Sequence, residues 1–381
     1  MKKSDSYDLT YITIDSLSEG VGSSQIRPLI SLLSKMDLKI NLISYEKFQP
    51  DSDLVNYFEL LGVDWNIRRF GSQGIIGGIE RLNSLRQEIP KTNLIHARSD
   101  IPAVAGIISR EAPVLWDVRS LWADQKVMIQ ENKVNSTLYR LYRGLESIAA
   151  NKSLAISTLT NSIIPILEQR HKRLPKLRTV VSTNVDLDKF QFNSTFPPTV
   201  RALFSGTYND YYDLELSRMF LHELQNLVPF KTHWARPSES HKSHIGVGEE
   251  RIIPSTQGDM ASLIPRYSFG VSVCKLDAGP SLSAAMPTKI AEFLACGRPI
   301  VVNKGLGDMD SFIKEFNVGV ILDGSKENLR ESASSLVSLL DDPETPERCR
   351  ALAEKYFDLK VGVKQYFDIY QEMLRIKSKH P

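Results

Sequence analysis

The sequence predicts an α/β protein built from two doubly wound, parallel-sheet domains in tandem. Short β-branched runs alternate with amphipathic helical patterns almost from the start, which is the signature of repeated βαβ units. A chain of 381 residues exceeds one ordinary core and suits two domains of about 150–200 residues. The alternation breaks once, at the Pro-rich and aperiodic "DKFQFNSTFPPT", and then restarts.

Taken in order, the strands expected in the first half are "YITI" (11–14), "INLISY" (40–45), "LIHAR" (94–98), "VLWDVR" (114–119), "LAIST" (154–158) and "RTVVST" (178–183). Each is short and rich in β-branched or aliphatic residues. Patterns such as "SSQIRPLISLLSK" and "STLYRLYRGLESIAA" have helical periodicity and fill the gaps. The break near 190–199 sets the domains at 1–195 and 196–381. Beyond it come "RALFSG" (201–206), "FGVSVCK" (269–275), "PIVVN" (299–303) and "GVIL" (319–322). In "SAAMPTKIAEFLACGRPIVVN", Pro287 opens a helix and Gly297 closes it. The C-terminal stretch reads as three successive helices. The last, about 362–377, contains "KQYFDIYQEML", aromatic enough to pack on another surface and expected to return to the N-terminal domain.

Composition narrows the function. With 42% hydrophobic and 24% charged residues and a formal net charge of +2, the chain reads as globular, and nothing argues for nucleic acid. The basic cluster "RHKRLPKLR" (170–178) lacks interleaved aromatics, leaving a solvated helix end or contact with an anionic membrane surface. Cys274, Cys296 and Cys349 have no metal-ligand spacing and suit reduced core thiols of a cytoplasmic protein. No signal-like N-terminus or run of about 18 apolar residues occurs, so any membrane contact would be peripheral, at the inner face.

Ligands of doubly wound sheets bind beyond the carboxyl ends of the strands, and two such domains facing each other would enclose a cleft. The residues just after strands are therefore the candidates. Gly20 and Gly22 follow the first strand, as a tight turn or as a loop whose N–H groups approach a phosphate; the spacing is not GxGxxG, and the second strand ends only in Glu46. Asp117 and Arg119 fall on one face of their strand, with Asp124 beyond. They form either a loop-stabilising ion pair or a group that orients or deprotonates an acceptor hydroxyl. His96 is the one histidine placed for such work. Asp308-Met309-Asp310 and "NVDLDKF" look like metal-holding Asp-x-Asp, but Asp308 opens a helix where an aspartate caps N–H groups, so no metal is expected. The absence of Gly-x-Ser-x-Gly, Walker and paired Cys/His patterns removes hydrolase and P-loop readings.

Lys289 poses a separate question. It falls in the first turn of its helix, where the unpaired N–H groups already carry positive charge and an ammonium is disfavoured by about 0.3–1 kcal/mol. It points into water, pairs with Glu292 one turn later, or shares an anion with the helix end.

The segments "SAAMPTKIAEFLACGRPIVVN", "GDMDSFI" and "VGVIL", with "WDVRSLWADQ", "AISTLTNSIIPIL", "VVSTNVDLDKF" and "FSGTYNDYYDLELSRMF" in the same order, resemble family 4 of the retaining glycosyltransferases. The resemblance implies the GT-B fold, two facing Rossmann-like domains with an interdomain cleft. It implies transfer of a sugar with retention from a nucleotide-diphosphate sugar, without metal or cofactor, to a saccharide or lipid-linked acceptor in cell-surface polysaccharide or glycolipid synthesis. Glu292 matches the glutamate that binds the donor ribose, and Pro287, Thr288 and Lys289 match the helix start that holds the diphosphate. Lys275, Gly206 and Thr207 fall on the donor side, Gly20 and Gly22 on the phosphate loop, and Asp117 and Arg119 on the acceptor side. The family's first acidic residue, eight positions before Glu292, is Ala284 here, and its basic pair is missing from "FSGTYNDYYD". A catalytically silent nucleotide-sugar-binding or partner protein, and a nucleotide-sugar epimerase, therefore stand as alternatives.

Overall fold

The computed structural model describes residues 6–72, 74–130, 136–206, 209–236, 246–247, 249–254 and 257–379. It divides into two compact units, one of Met1–Val127, Asn132–Val181 and Gly362–Pro381, the other of Met128–Glu131 and Ser182–Val361.

The first unit contains strands β1 (Tyr7–Ile12), β2 (Ile40–Glu46), β3 (Asp64–Arg69), β4 (Thr92–Arg98), β5 (Val114–Val118), β6 (Ala155–Thr158) and β7 (Leu177–Val180). They form one sheet in the order β3-β2-β1-β4-β5-β6-β7, every pairing parallel. Its interior strands are buried on both faces, as a sheet covered by crossover helices requires, and so read as continuous apolar runs. The order reverses between β1 and β4, where a doubly wound sheet opens its ligand crevice.

The second unit repeats the plan with β8 (Val200–Ser205), β9 (Phe230–Arg236), β10 (Glu249–Pro254), β11 (Phe269–Ser272), β12 (Ile300–Asn303) and β13 (Gly319–Leu322). The order is β10-β9-β8-β11-β12-β13, again all parallel, and the reversal lies between β8 and β11. Phe204, Phe220, Trp234, Phe269, Val301 and Leu336 belong to its core. Gly270 of β11 lets the helix Thr288–Ala295 lie close on the sheet, because a β-carbon there would overlap the Phe293 ring. Arg298 is fully buried and donates to the carbonyls of Thr195 (2.8 Å) and Pro265 (2.9 Å), fastening the aperiodic stretch to the unit 2 core.

Ten of the strands coincide with expected runs to within a few residues. Three were not expected: β3, β9 and β10. β3 and β10 are sheet edges, and "DWNIRR" and "EERIIP" carry the charges tolerated there. β9 does alternate, but its alternating buried positions, Phe230, Thr232 and Trp234, include no aliphatic residue. The three C-terminal helices are Lys326–Asp341, Thr345–Tyr356 and Leu359–Lys379, and residues of the last from Gly362 onward belong to the first unit. Among the described residues no helix is long and apolar enough to cross a membrane.

Candidate functional site

In the second unit the candidate residues gather at the reversal of strand order. Gly206 follows β8 with φ +80°, and its carbonyl accepts the Trp234 indole N–H at 3.0 Å. After β11, Asn303 Oδ1 accepts the Cys274 N–H at 2.7 Å, and the Lys275 N–H donates to the Tyr211 carbonyl at 3.0 Å. Lys275 itself is half-buried. The helix Thr288–Ala295 starts from Pro287, whose backbone is extended, and the turn before it is held by the Thr183 hydroxyl on the Met286 carbonyl at 2.5 Å. Thr207 lies outside the described residues.

Lys289 does not point into water: only 9% of it is exposed, and its ammonium stands 4.2 Å from the centre of the Tyr212 ring. Burial pulls its pKa down to about 8, with Cys274 and Glu292 opposing the fall. Glu292, one turn on and 8% exposed, is pushed up to about 7 by burial, against the pull of Lys289 and Lys189. A helix start, a desolvated ammonium and a carboxyl poised near neutrality thus share one small region. Such perturbed groups cluster at functional sites.

Glu292 yields a pH prediction. A carboxyl with a folded pKa of about 7 and an ordinary value of 4.5 binds more protons folded than unfolded between those values. The stability it confers is full below pH 4.5 and is lost as pH rises through 7, on the order of 3 kcal/mol in all. Urea melts of the wild type and Glu292→Gln across that window are expected to diverge, the wild type losing more. Parallel curves would refute the assignment.

In the first unit the corresponding strands carry a buried polar network. Asp117 in β5 has no exposed surface. Its Oδ1 accepts from the hydroxyls of Ser157 (2.8 Å) and Tyr366 (3.1 Å) and from Arg119 (3.4 Å). Its Oδ2 lies 3.3 Å from His96 Nε2 and 3.6 Å from an Arg98 nitrogen. Burial works to raise the Asp117 carboxyl, but Arg119, His96 and Arg98 outweigh it and hold it well below the usual range. Arg98 also donates to Asp15 at 2.9 Å, and the Asp15 side chain is 41% exposed. Ser99, next in the chain, has φ +78°, a backbone strain of the kind kept at functional sites.

The loop after β1 is rigidly held. Glu46 accepts from Ser16, Ser18 and Ser44 hydroxyls and from the Leu17 N–H at 2.8 Å. Gly22 leaves no room for a side chain, since a β-carbon would overlap the Ser16 carbonyl, and Gly20 adopts φ +56°. Glu46, committed to five such contacts with Ser18 N–H included, cannot serve a ribose as the acidic residue of dinucleotide sheets does.

Neither a family model nor a curated protein matches the sequence. Solved structures match over almost its whole length. Sucrose-phosphate synthase from Thermosynechococcus elongatus has a TM-score of 0.72 at 11% identity, with 97% of this chain and 99% of that one covered. A glycosyltransferase from Rickettsia africae gives 0.69 at 14%, with the same coverage. Anabaena Alr3699/HepE, solved with UDP and glucose, gives 0.64 at 12%, covering 96% and 100%. The chain has the GT-B fold. Its structural neighbours are glycosyltransferases, and at these identities the likeness is one of fold.

On this GT-B frame Gly206, Lys275, Pro287, Thr288, Lys289 and Glu292 fall in one unit, and Gly20, Gly22, Asp117 and Arg119 in the other. Ala284 is buried against the C-terminal end of the short helix Pro280–Ser283. Asp308 occupies the N-cap position of Met309–Phe316, while the bond back into the turn comes from Asp310, both of whose carboxylate oxygens lie 3.1 Å from the Gly305 nitrogen. In the basic cluster, Arg170 and His171 turn inward, to Asp124 (2.8 Å) and Glu146 (2.8 Å) respectively, so only part of it is solvated. Sequence reasoning did not single out Asp15, Tyr366 or Tyr370. Asp15 stands between β1 and Gly20, and its place just beyond the strand was the available signal.

Proposed function

We propose that the chain is a glycosyltransferase that moves a sugar, with retention and without a metal, from a nucleotide-diphosphate sugar to a saccharide or lipid-linked acceptor. It would work in the cytoplasm, peripheral to the membrane at most, in surface polysaccharide synthesis. The observation that carries this reading is Lys289: a desolvated ammonium at a helix N-terminus, beside Glu292, at the strand-order reversal of a GT-B unit. The helix end and the ammonium both favour an anion, and a diphosphate satisfies both. HepE, crystallised with UDP-glucose, has the same fold and lends support.

The chemistry follows from charge. As the glycosidic bond breaks, negative charge grows on the departing diphosphate, and preorganised N–H groups with Lys289 stabilise it most when it is greatest. Thr288 and Lys275 assist, and Glu292 accepts hydrogen bonds from the ribose hydroxyls. On the acceptor side Arg119 and the part-exposed Asp15 carboxylate meet the incoming hydroxyl, with Asp117 holding Arg119 directly and Asp15 through Arg98.

Thermal melts with a panel of nucleoside diphosphates and their sugars test the reading. A bound ligand at a hundred times its dissociation constant adds about 2.7 kcal/mol. One nucleotide is expected to stabilise the protein, and its sugar derivative to be hydrolysed slowly without acceptor. No stabilisation by any member would overturn the reading. Stabilisation without any released nucleotide would favour the silent binding protein, to which the buried methyl of Ala284 points.

A further inference from the structure

We infer that the last helix, Leu359–Lys379, supplies two positioning residues to the first unit's site: the Tyr366 and Tyr370 hydroxyls hold Asp117 as a purely accepting carboxylate and His96 as its Nε2–H tautomer. As a statement about the acceptor side this rests on the transferase reading; as a statement about proton positions it does not.

Donors and acceptors fix where the protons lie. All the groups concerned are away from water: Tyr11 on β1, His96 on β4, Asp117 on β5, Ser157 on β6, and Tyr366 and Tyr370 on the helix. Asp117 Oδ1 already faces three donors, namely Ser157, Tyr366 and Arg119. The Arg98 and Arg119 guanidinium groups, 3.6 and 3.4 Å from the two Asp117 oxygens, favour the charged form, so the carboxylate is what this setting selects. His96 Nε2, 3.3 Å from the other oxygen, must then carry the ring proton. That leaves Nδ1 bare, and the Tyr370 hydroxyl, 2.5 Å away, must donate to it. Tyr366 completes the set by donating to Asp117 while accepting from Arg119 at 3.1 Å. Once the two guanidinium groups fix Asp117 as the carboxylate, the remaining directions follow.

Charge balance agrees. Asp15 and Asp117 offset Arg98 and Arg119 only if the imidazole between them is neutral. Faces on all sides are accounted for: Tyr11 lies over the His96 ring at 4.3 Å between centroids and Tyr366 at 4.9 Å, while Arg98 and Arg119 are the cations in reach. The two rings could fill the same space as phenylalanines. Hydroxyls that each end on a buried polar atom are what a space-filling role does not require.

The test uses the full chain labelled with 15N-histidine, read by long-range proton–nitrogen correlation, with His96→Gln to assign its ring. One tautomer, protonated at Nε2 and bare at Nδ1, is expected to persist from about pH 5.5 to 8.5. Tyr370→Phe is expected to shift the Nδ1 resonance as its hydrogen bond is lost. Tyr366→Phe is expected to lower acceptor kcat/KM about ten- to a hundredfold, with the stabilisation by nucleotide unchanged. An imidazolium or an Nδ1–H ring in the wild type overturns the inference, as does a His96 spectrum indifferent to Tyr370→Phe. The wild-type spectrum decides even if a variant fails to fold. Absence of turnover with every acceptor would count against the transferase reading alone.

Discussion

Replacing Lys289 with methionine is expected to slow sugar transfer by about 10²–10³ while making the protein more stable. On the proposed reading the two signs are opposite, because the ammonium serves a bound anion while its burial is a net cost to the fold. Burial lowers its pKa from 10.5 to about 8, equivalent to roughly 3 kcal/mol of penalty on the charged form at neutral pH. Methionine is similar in length and escapes that penalty. It forfeits the cation–π contact with Tyr212, about 2 kcal/mol when desolvated, so a net gain of about 1 kcal/mol is expected. The loss of rate follows from removing one preorganised donor from a leaving group on which charge is growing, the equivalent of about 2.7–4 kcal/mol of barrier.

Initial rates with the nucleotide sugar identified by melting, together with urea melts of both proteins, check the two halves together. A variant equally active, or one that is inactive because it is less stable, would show that the lysine is structural. The nucleotide-induced rise in melting temperature should shrink as well, because the ammonium contributes to binding before it contributes to the barrier. Glu292→Gln offers a contrast. It alters the pH dependence of stability but keeps a hydrogen-bond acceptor for a ribose, so its effect on rate should be smaller.

How much of this was legible in the sequence depended on what each residue faces. Interior strands such as "INLISY" and "PIVVN" are buried on both sides, so their largely apolar runs announced them. The edge strands β3 and β10 carry charges and lost that signal. Lys289 and Glu292 stood out as candidates because a helix start with a cation is locally anomalous and the surrounding pattern is specific. "KQYFDIYQEML" was legible as a packing surface, and Tyr366, Tyr370 and Met373 are indeed buried. That two of its hydroxyls meet Asp117 and His96, about 250 residues earlier in the chain, was not legible, because only the tertiary fold brings them together. Asp15 was hidden for a similar reason: an aspartate after a strand is ordinary until Arg98 is seen to hold it across the β1/β4 reversal.

Asp117→Ala is expected to be the most destabilising substitution in the first unit, at about 3–5 kcal/mol. The carboxylate is surrounded by Arg98, Arg119, Ser157, Tyr366 and His96, and its removal leaves two buried guanidinium groups with Asp15 as their remaining carboxylate. Breaking one side of such a network costs more than the network is worth, because the stranded charges stay desolvated. The pH dependence gives an internal check. Asp117 is held below its ordinary value of 3.8, so its contribution is fully present above that pH and is lost only as pH falls further. The gap between wild type and variant should therefore be flat from about pH 5 to 8 and close on the acid side, the reverse of the Glu292 behaviour. Removing Arg119 as well, in Asp117→Ala/Arg119→Leu, should recover part of the loss, since an apolar replacement removes one of the stranded charges. Additive losses in the double variant, or a single variant within 1 kcal/mol of wild type by urea melts, would mean that water reaches these groups and that Asp117 does not organise the crevice.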